Sequence, residues 1–115
     1  MSTDLTLTMT PKQYRICNDR PPRPAWMDEL HPREAYKALT LMDLYELRAW
    51  EQIAAKDDCS CETRYPEWGT AEQEYLDRSE ALPQREQTAL RLDWIETRKS
   101  LRIVVQAICE AQGNW

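Results

Sequence analysis

Glycine, histidine and phenylalanine are scarce in this 115-residue chain, which contains two glycines, one histidine and no phenylalanine. Two glycines are too few for a phosphate-binding loop or a dinucleotide-binding fingerprint, because both motifs place several glycines close together. A single histidine excludes most metal sites that depend on imidazole ligands. The composition therefore removes several nucleotide- and metal-dependent functions before any element is assigned.

Long apolar runs are missing as well. No stretch approaches the roughly 20 residues that a transmembrane helix needs, and the chain does not open with the basic and then apolar segment of a secretory signal. From these two absences we predict a chain with no membrane partner, located in the cytoplasm.

Candidate catalytic residues are few. His31 precedes Pro32 at a predicted helix start, so it is interpreted as a cap of that helix and not as a base. The carboxylates at 72, 74, 77 and 80 are too numerous for two of them to stand out as a catalytic pair, and residues 57–68 lack the central glycine of an EF-hand. We therefore predict no enzymatic activity and no cofactor.

Proline and capping signals divide the chain, which is short enough for one domain. Residues 1–10 are predicted to be a tail or a short strand, because 5–9 alternate apolar and polar side chains. A short helix over 11–18 follows, and the predicted fold is a small all-α helical bundle with a short N-terminal extended segment and a long C-terminal helix. Its further parts are a proline-rich connector over 20–30, a helical segment over 31–56, an acidic loop over 57–69, and a helical hairpin or kinked helix over 70–111.

Two predicted helices have long apolar faces. The stripe over 41–56 is broad enough for a central helix that is buried on more than one side. No helix-breaking residue interrupts 84–110, which would form a rod about 40 Å long. Such a rod either spans the domain or binds a partner, so a homodimer through 84–110 is an alternative hypothesis. Its apolar face is formed by Leu90, Trp94, Leu101, Val104, Val105 and Ile108.

The net charge of −5 is concentrated in one segment. Residues 57–82 hold eight carboxylates and two arginines, a net charge of −6, and the rest of the chain is close to neutral. The segment is either a solvated surface or a docking surface for a basic partner. Aromatic residues lie between the carboxylates, as is typical of interfaces, and clustered carboxylates repel phosphate, so no direct nucleic-acid binding is expected. The predicted partner-binding residues are Glu62, Tyr65, Glu67, Trp68, Glu72, Glu74, Tyr75 and Asp77.

The four cysteines fall in two kinds of surroundings. Cys17 and Cys109 lie on predicted apolar helix faces and are interpreted as small buried hydrophobic residues. Cys59 and Cys61 lie in the polar loop. Because disulfides are rare in a reducing cytosol, we predict free or transiently oxidised thiols. The alternative is a structural zinc site formed by all four thiolates, which the neighbouring carboxylates disfavour because they raise the pKa of a thiol.

These observations predict a non-catalytic protein-binding module, an adaptor or inhibitor that occupies a basic surface of a partner protein through residues 57–82. A phage or mobile-element protein that blocks a nucleic-acid-handling host enzyme would have this character. Trp26, Trp68 and Trp115 lie in the connector, the loop and the terminus, where each is either an interface anchor or a lid packed on the bundle. The alternatives are a homodimeric structural or regulatory protein and a small zinc-stabilised domain.

Overall fold

A computed structural model describes residues 17–115 and shows the small all-α bundle that the sequence predicts. Within that range no residue lies in a β-strand. The strand pattern at 5–9 and most of the helix predicted over 11–18 lie outside the described residues, and Cys17 and Asn18 are not helical. The α-helices of residues 17–115 are α1 (Ala35–Lys56), α2 (Cys61–Arg64), α3 (Gly69–Arg78) and α4 (Gln84–Ala111).

The connector before α1 has no regular structure from Arg20 to Pro24, and then makes two 3-10 turns, Ala25–Asp28 and Pro32–Glu34. The cap predicted at His31 is confirmed. Its Nδ1 accepts a 3.1 Å hydrogen bond from the backbone N–H of Arg33, and Pro32 occupies the first position of the turn. Because proline at this position lacks only an N–H that would have no helical partner, the chain enters α1 at no cost in hydrogen bonds.

The central helix α1 is buried on more than one side, as its broad apolar stripe predicts. The chain leaves it through Asp57, which adopts the left-handed conformation (φ 53°) that ends many helices. Asp is one of the few residues besides glycine that adopts this conformation readily. The buried apolar side chains of α1 are Ala38, Leu41, Leu44, Tyr45, Leu47, Ala49, Trp50 and Ile53.

One helical turn, α2, interrupts the loop predicted over 57–69, so that prediction is wrong over Cys61–Arg64. The carboxylate of Asp58 accepts hydrogen bonds from the hydroxyl of Thr63 (2.5 Å) and from the hydroxyl and the N–H of Ser60 (2.9 and 3.2 Å). These bonds hold the pKa of Asp58 below its ordinary value. A turn of four residues is too short to show a helical period, so the sequence pattern could not reveal it.

Helix α3 packs antiparallel to the first half of α1. At its start Trp68 stacks on Tyr45, with ring centroids 3.7 Å apart, and beyond its end Glu80 forms an ion pair with Lys37 (3.3 Å). The apolar core of this half of the bundle also receives the partly buried Trp26, Leu30 and Trp94. Its buried members are Met27, Ala38, Leu41, Leu44, Tyr45, Ala71 and Tyr75.

Helix α4 runs parallel to α1 after a turn over 79–83. Residues 70–111, predicted as a helical hairpin or a kinked helix, are therefore two helices joined by a turn and not one kinked helix. Arg91 pairs with Asp43 (2.7 Å) near the first half of both helices, and Cys59 and Cys109 meet after the second half. A second apolar core lies at this end, with Leu101 and Ile108 packed against it. Its buried members are Trp50, Ile53, Cys59, Val105 and Cys109.

All four cysteines form disulfides, Cys17–Cys61 and Cys59–Cys109, so the prediction of free thiols is wrong. The parallel course of α1 and α4 brings the ends of both helices together, and that brings Cys59 to Cys109 across 50 positions of sequence. The zinc alternative is overturned by the same observation, because zinc binds thiolates and disulfide sulfurs are not thiolates.

Candidate protein-binding site

The eight predicted partner-binding residues do not form one surface. Tyr75 is fully buried, so its assignment to a partner surface is corrected. Its hydroxyl donates a 3.0 Å hydrogen bond to Oε1 of Gln87, and burial raises its pKa to about 12. Trp68 is half-buried against Tyr45. Both aromatics therefore belong mainly to the core.

The acidic residues of α3 are largely bonded within the chain. Glu74 accepts two hydrogen bonds from the guanidinium of Arg48 (2.9 and 2.7 Å), and the carboxylate of Glu72 accepts one from the indole N–H of Trp26 (2.8 Å). Asp77 is exposed and accepts a hydrogen bond from Gln73 one turn earlier (2.9 Å). Much of the negative charge that the sequence places on this helix is therefore used to hold α3 against α1 and the connector.

The ion pair between Glu74 and Arg48 makes stability depend on pH. The hydrogen bonds from Arg48 hold the pKa of Glu74 below its ordinary value, so this pair stabilises the fold above the ordinary carboxyl pKa. The stabilisation is lost as the pH falls through the lowered pKa of the folded state. We expect Glu74→Gln to cost about 1 kcal/mol at pH 7, because both side chains are partly exposed.

The measurement is urea unfolding of the wild type and of Glu74→Gln at intervals from about pH 7 to pH 3. The wild type should lose stability more steeply than Glu74→Gln in the acid part of this range. Arg48→Gln should flatten the same part of the profile, because it removes the other partner of the same pair. Parallel profiles for the wild type and Glu74→Gln would show that the pair contributes nothing to the pH dependence.

The remaining predicted residues, Glu62, Tyr65 and Glu67, come together in a groove of about 490 Å³. We call this the acidic groove; its other side is the segment from Cys17 to Pro21. The Cys17–Cys61 disulfide joins the two sides covalently. The structure therefore gathers the predicted residues that follow α1 and separates them from those on α3.

Two further features give the acidic groove its chemistry. Asp19 adds a third exposed carboxylate to those of Glu62 and Glu67. The guanidinium of Arg20 lies 4.0 Å from the centroid of the Tyr65 ring, a cation–π contact. Among the ion pairs formed within residues 17–115, none involves any of the three carboxylates.

Sequence reasoning missed Asp19 and Arg20, which lie more than 40 positions before Glu62, the first of the predicted residues in the groove. No local pattern marks them, because a disulfide between distant cysteines brings them to the acidic groove. The residue after Tyr65 is anchored to α1, because the hydroxyl of Tyr45 donates a 2.7 Å hydrogen bond to the carbonyl of Pro66. This bond helps to fix the position of Tyr65 in the acidic groove. The one signal that could have found the groove was the even number of cysteines.

The tryptophans outside the predicted helical stripes pack as lids on the bundle. Trp26 stacks on Tyr75 at 5.9 Å between ring centroids, and Trp115 lies 6.1 Å from Trp50 in a tilted arrangement. All of these indoles except that of the buried Trp50 remain partly exposed. Of the two roles that the sequence left open, the structure thus shows the lid.

Two other kinds of site are not found in residues 17–115. No group of three or more His, Cys, Asp or Glu side chains in this range is arranged to hold a metal ion. None of the helices there combines the length and the hydropathy that crossing a membrane requires. The chain matches no protein-family model, no curated protein and no solved structure.

Proposed function

We propose that this chain is a non-catalytic protein-binding module, an adaptor or inhibitor that receives a lysine- or arginine-bearing segment of a partner protein in the acidic groove. The observation that carries the proposal is that Asp19, Glu62 and Glu67 line one groove together with the partly exposed Tyr65. Carboxylates beside an aromatic ring attract ammonium and guanidinium groups by charge and by cation–π contact.

The chain itself provides an example of this chemistry. Arg20 lies over the ring of Tyr65 and donates a 3.3 Å hydrogen bond from Nε to the carbonyl of Cys17. A cationic side chain from a partner would meet three carboxylates that make no ion pair within residues 17–115, beside a ring that Arg20 already contacts. The disulfide keeps both sides of the acidic groove in place before binding, so less ordering entropy is lost on association.

The proposed partner is a protein with a basic surface. Our proposal within this class is a nucleic-acid-handling host enzyme, which this chain would block as a phage or mobile-element protein. The predicted cytoplasmic location goes with a partner of this kind and stays a prediction, which the following observation does not favour. The two disulfides favour an oxidising compartment, because cytosolic thiols are kept reduced. A basic partner outside the cytosol would meet the same surface, so the proposal rests on charge and not on location.

A charge-reversal variant tests the acidic groove. Asp19→Lys/Glu62→Lys/Glu67→Lys should bind a fluorescently labelled eight-arginine peptide at least about tenfold more weakly than the wild type, because attraction becomes repulsion. Anisotropy titration at low and at physiological salt measures this change, and affinity in the wild type should fall as salt rises. The helical circular dichroism should stay the same, since all three side chains are exposed.

The matched control carries the same change in net charge elsewhere. Glu29→Lys/Glu34→Lys/Glu86→Lys replaces three exposed carboxylates outside the acidic groove. It should bind the peptide nearly as well as the wild type. Carbodiimide coupling of the wild type to a lysine peptide should place cross-links on Asp19, Glu62 or Glu67. Equal weakening by both triple variants, or cross-links spread evenly over all carboxylates, would reject the acidic groove as the docking site.

A further inference from the structure

The outer face of α4 carries the most exposed large apolar side chains among residues 17–115. Ile103 is 85% exposed and Leu92 is 59% exposed. Both belong to a line of exposed or half-exposed residues whose positions are spaced alternately by four and three, as in a coiled-coil seam. The line consists of positions 85, 89, 92, 96, 99, 103, 106 and 110. We call this line the outer seam.

The outer seam is not the apolar face that the sequence indicated as a dimer surface. Leu101 and Val105, on that predicted face, pack within the chain against the second half of α1. The helix thus has an inner face that completes the core and an opposite face that meets no other helix of the described chain. An association through α4 must therefore use the outer seam, and Leu101→Asp would disrupt the core instead.

We propose that the outer seam binds a second copy of this chain, with the two α4 helices antiparallel. In one register, Leu92 of each copy faces Ile103 of the other. The same register places Glu96 opposite Lys99 and Arg85 opposite Glu110, and each of these pairs occurs twice because the arrangement has two-fold symmetry. One alignment thus pairs the two most exposed apolar residues and forms four pairs of opposite charge.

Charge complementarity selects this occupant. A parallel, in-register pair would place Glu96 against Glu96 and Lys99 against Lys99, which is unfavourable. Within a single copy, Lys99 and Glu96 form an ion pair (3.0 Å) whose side chains are 68% and 72% exposed, so both remain open to a partner. Because polar residues occupy much of the outer seam, we expect the dimer to be weak and to form only at high protein concentration.

Sedimentation equilibrium of the full chain, with its disulfides intact, tests the proposal over concentrations up to about 0.5 mM. The weight-average molar mass should rise with concentration from that of a monomer toward that of a dimer. Ile103→Asp should weaken association at least about tenfold without altering the thermal unfolding, because the side chain it replaces is almost fully exposed. A chain that stays monomeric throughout, or association that Ile103→Asp leaves unchanged, would overturn the proposal.

Two single charge reversals give a sharper test. Glu96→Lys alone should associate poorly, because the introduced ammonium group would face Lys99 of the other copy. Lys99→Glu alone should also associate poorly, because the introduced carboxylate would face Glu96 of the other copy. An equimolar mixture of the two variants should associate at least as well as the wild type. In a mixed dimer the introduced ammonium group faces the introduced carboxylate, and the native Lys99 of one copy faces the native Glu96 of the other.

A control pair with the same changes in charge lies off the outer seam. Glu29→Lys and Arg33→Glu, both at exposed positions, should each associate as the wild type does, and mixing them should change nothing. If the mixture of Glu96→Lys and Lys99→Glu stays monomeric while the wild type dimerises, Glu96 of one copy does not face Lys99 of the other, and the proposed register is refuted. This result is independent of peptide binding to the acidic groove.

Discussion

Replacing Cys59 and Cys109 together with alanine should lower the free energy of unfolding by about 4 kcal/mol and the Tm by about 15 °C or more. The disulfide closes a loop of 50 positions, which restricts the unfolded chain strongly. Both cysteines are buried in the second core with Ile53 and Val105, so their loss also removes packing there. Guanidinium unfolding followed by circular dichroism measures the change.

The matched variant removes the other disulfide, Cys17→Ala/Cys61→Ala. This disulfide closes a loop of 44 positions, which restricts the unfolded chain almost as much. Cys17 is buried but Cys61 is exposed, so less packing is lost and we expect a somewhat smaller loss of stability. This variant should instead weaken peptide binding to the acidic groove, because its two sides are no longer joined. Equal unfolding midpoints for the wild type and Cys59→Ala/Cys109→Ala would show that helix packing, and not the cross-link, holds the second half of the bundle.

Replacing Gln87 with alanine should cost on the order of 3 kcal/mol, because a fully buried amide serves as the hydrogen-bond centre of the turn between α3 and α4. Its Nε2 donates to the carbonyls of Ser79 (2.8 Å) and Leu82 (3.0 Å), and its Oε1 accepts from the hydroxyl of Tyr75 (3.0 Å). Without the amide, the hydroxyl of Tyr75 and the carbonyl of Leu82 lose this partner, and the carbonyl of Ser79 keeps only the N–H of Leu82 (2.9 Å) at the point where the chain reverses.

Gln84→Ala is the control, since Gln84 is exposed at the start of α4 and its loss should change the unfolding midpoint little. Gln87→Glu is the informative companion, because it keeps the shape of the side chain but removes the donor to the two carbonyls. It should destabilise at least as strongly as Gln87→Ala at pH 7. A Gln87→Glu variant as stable as the wild type would contradict the role given to the amide.

Helical periodicity predicted the elements that depend on local sequence. The broad stripe of α1, the long unbroken α4 and the cap at His31 followed from the spacing of apolar residues and from the proline after the cap. These features arise between residues a few positions apart, so a single sequence contains the information. The direction in which α4 returns along α1 involves residues tens of positions apart, and periodicity does not specify it.

The candidate site was predicted less completely for the same reason. The carboxylates of Glu72 and Glu74 looked free in sequence, but Trp26 and Arg48, their partners, lie 46 and 26 positions earlier. Glu62, Tyr65 and Glu67 remained at the acidic groove because the loop after α1 exposes them. The assignment of the cysteines failed because it used the expected location of the protein in place of geometry, which only the fold could supply.

The two disulfides also determine how the chain would respond to a pulling force. Cys17 and Cys109 are 92 positions apart, yet the covalent path between them passes through both disulfides and only residues 59–61. Tension applied between these two points would be transmitted through roughly 10 Å of backbone, leaving α1, α3 and α4 unstretched. After reduction, unfolding of the bundle under tension would release about 300 Å of additional contour length. With both disulfides intact, the bundle therefore cannot be extended between Cys17 and Cys109, whereas the reduced chain can be.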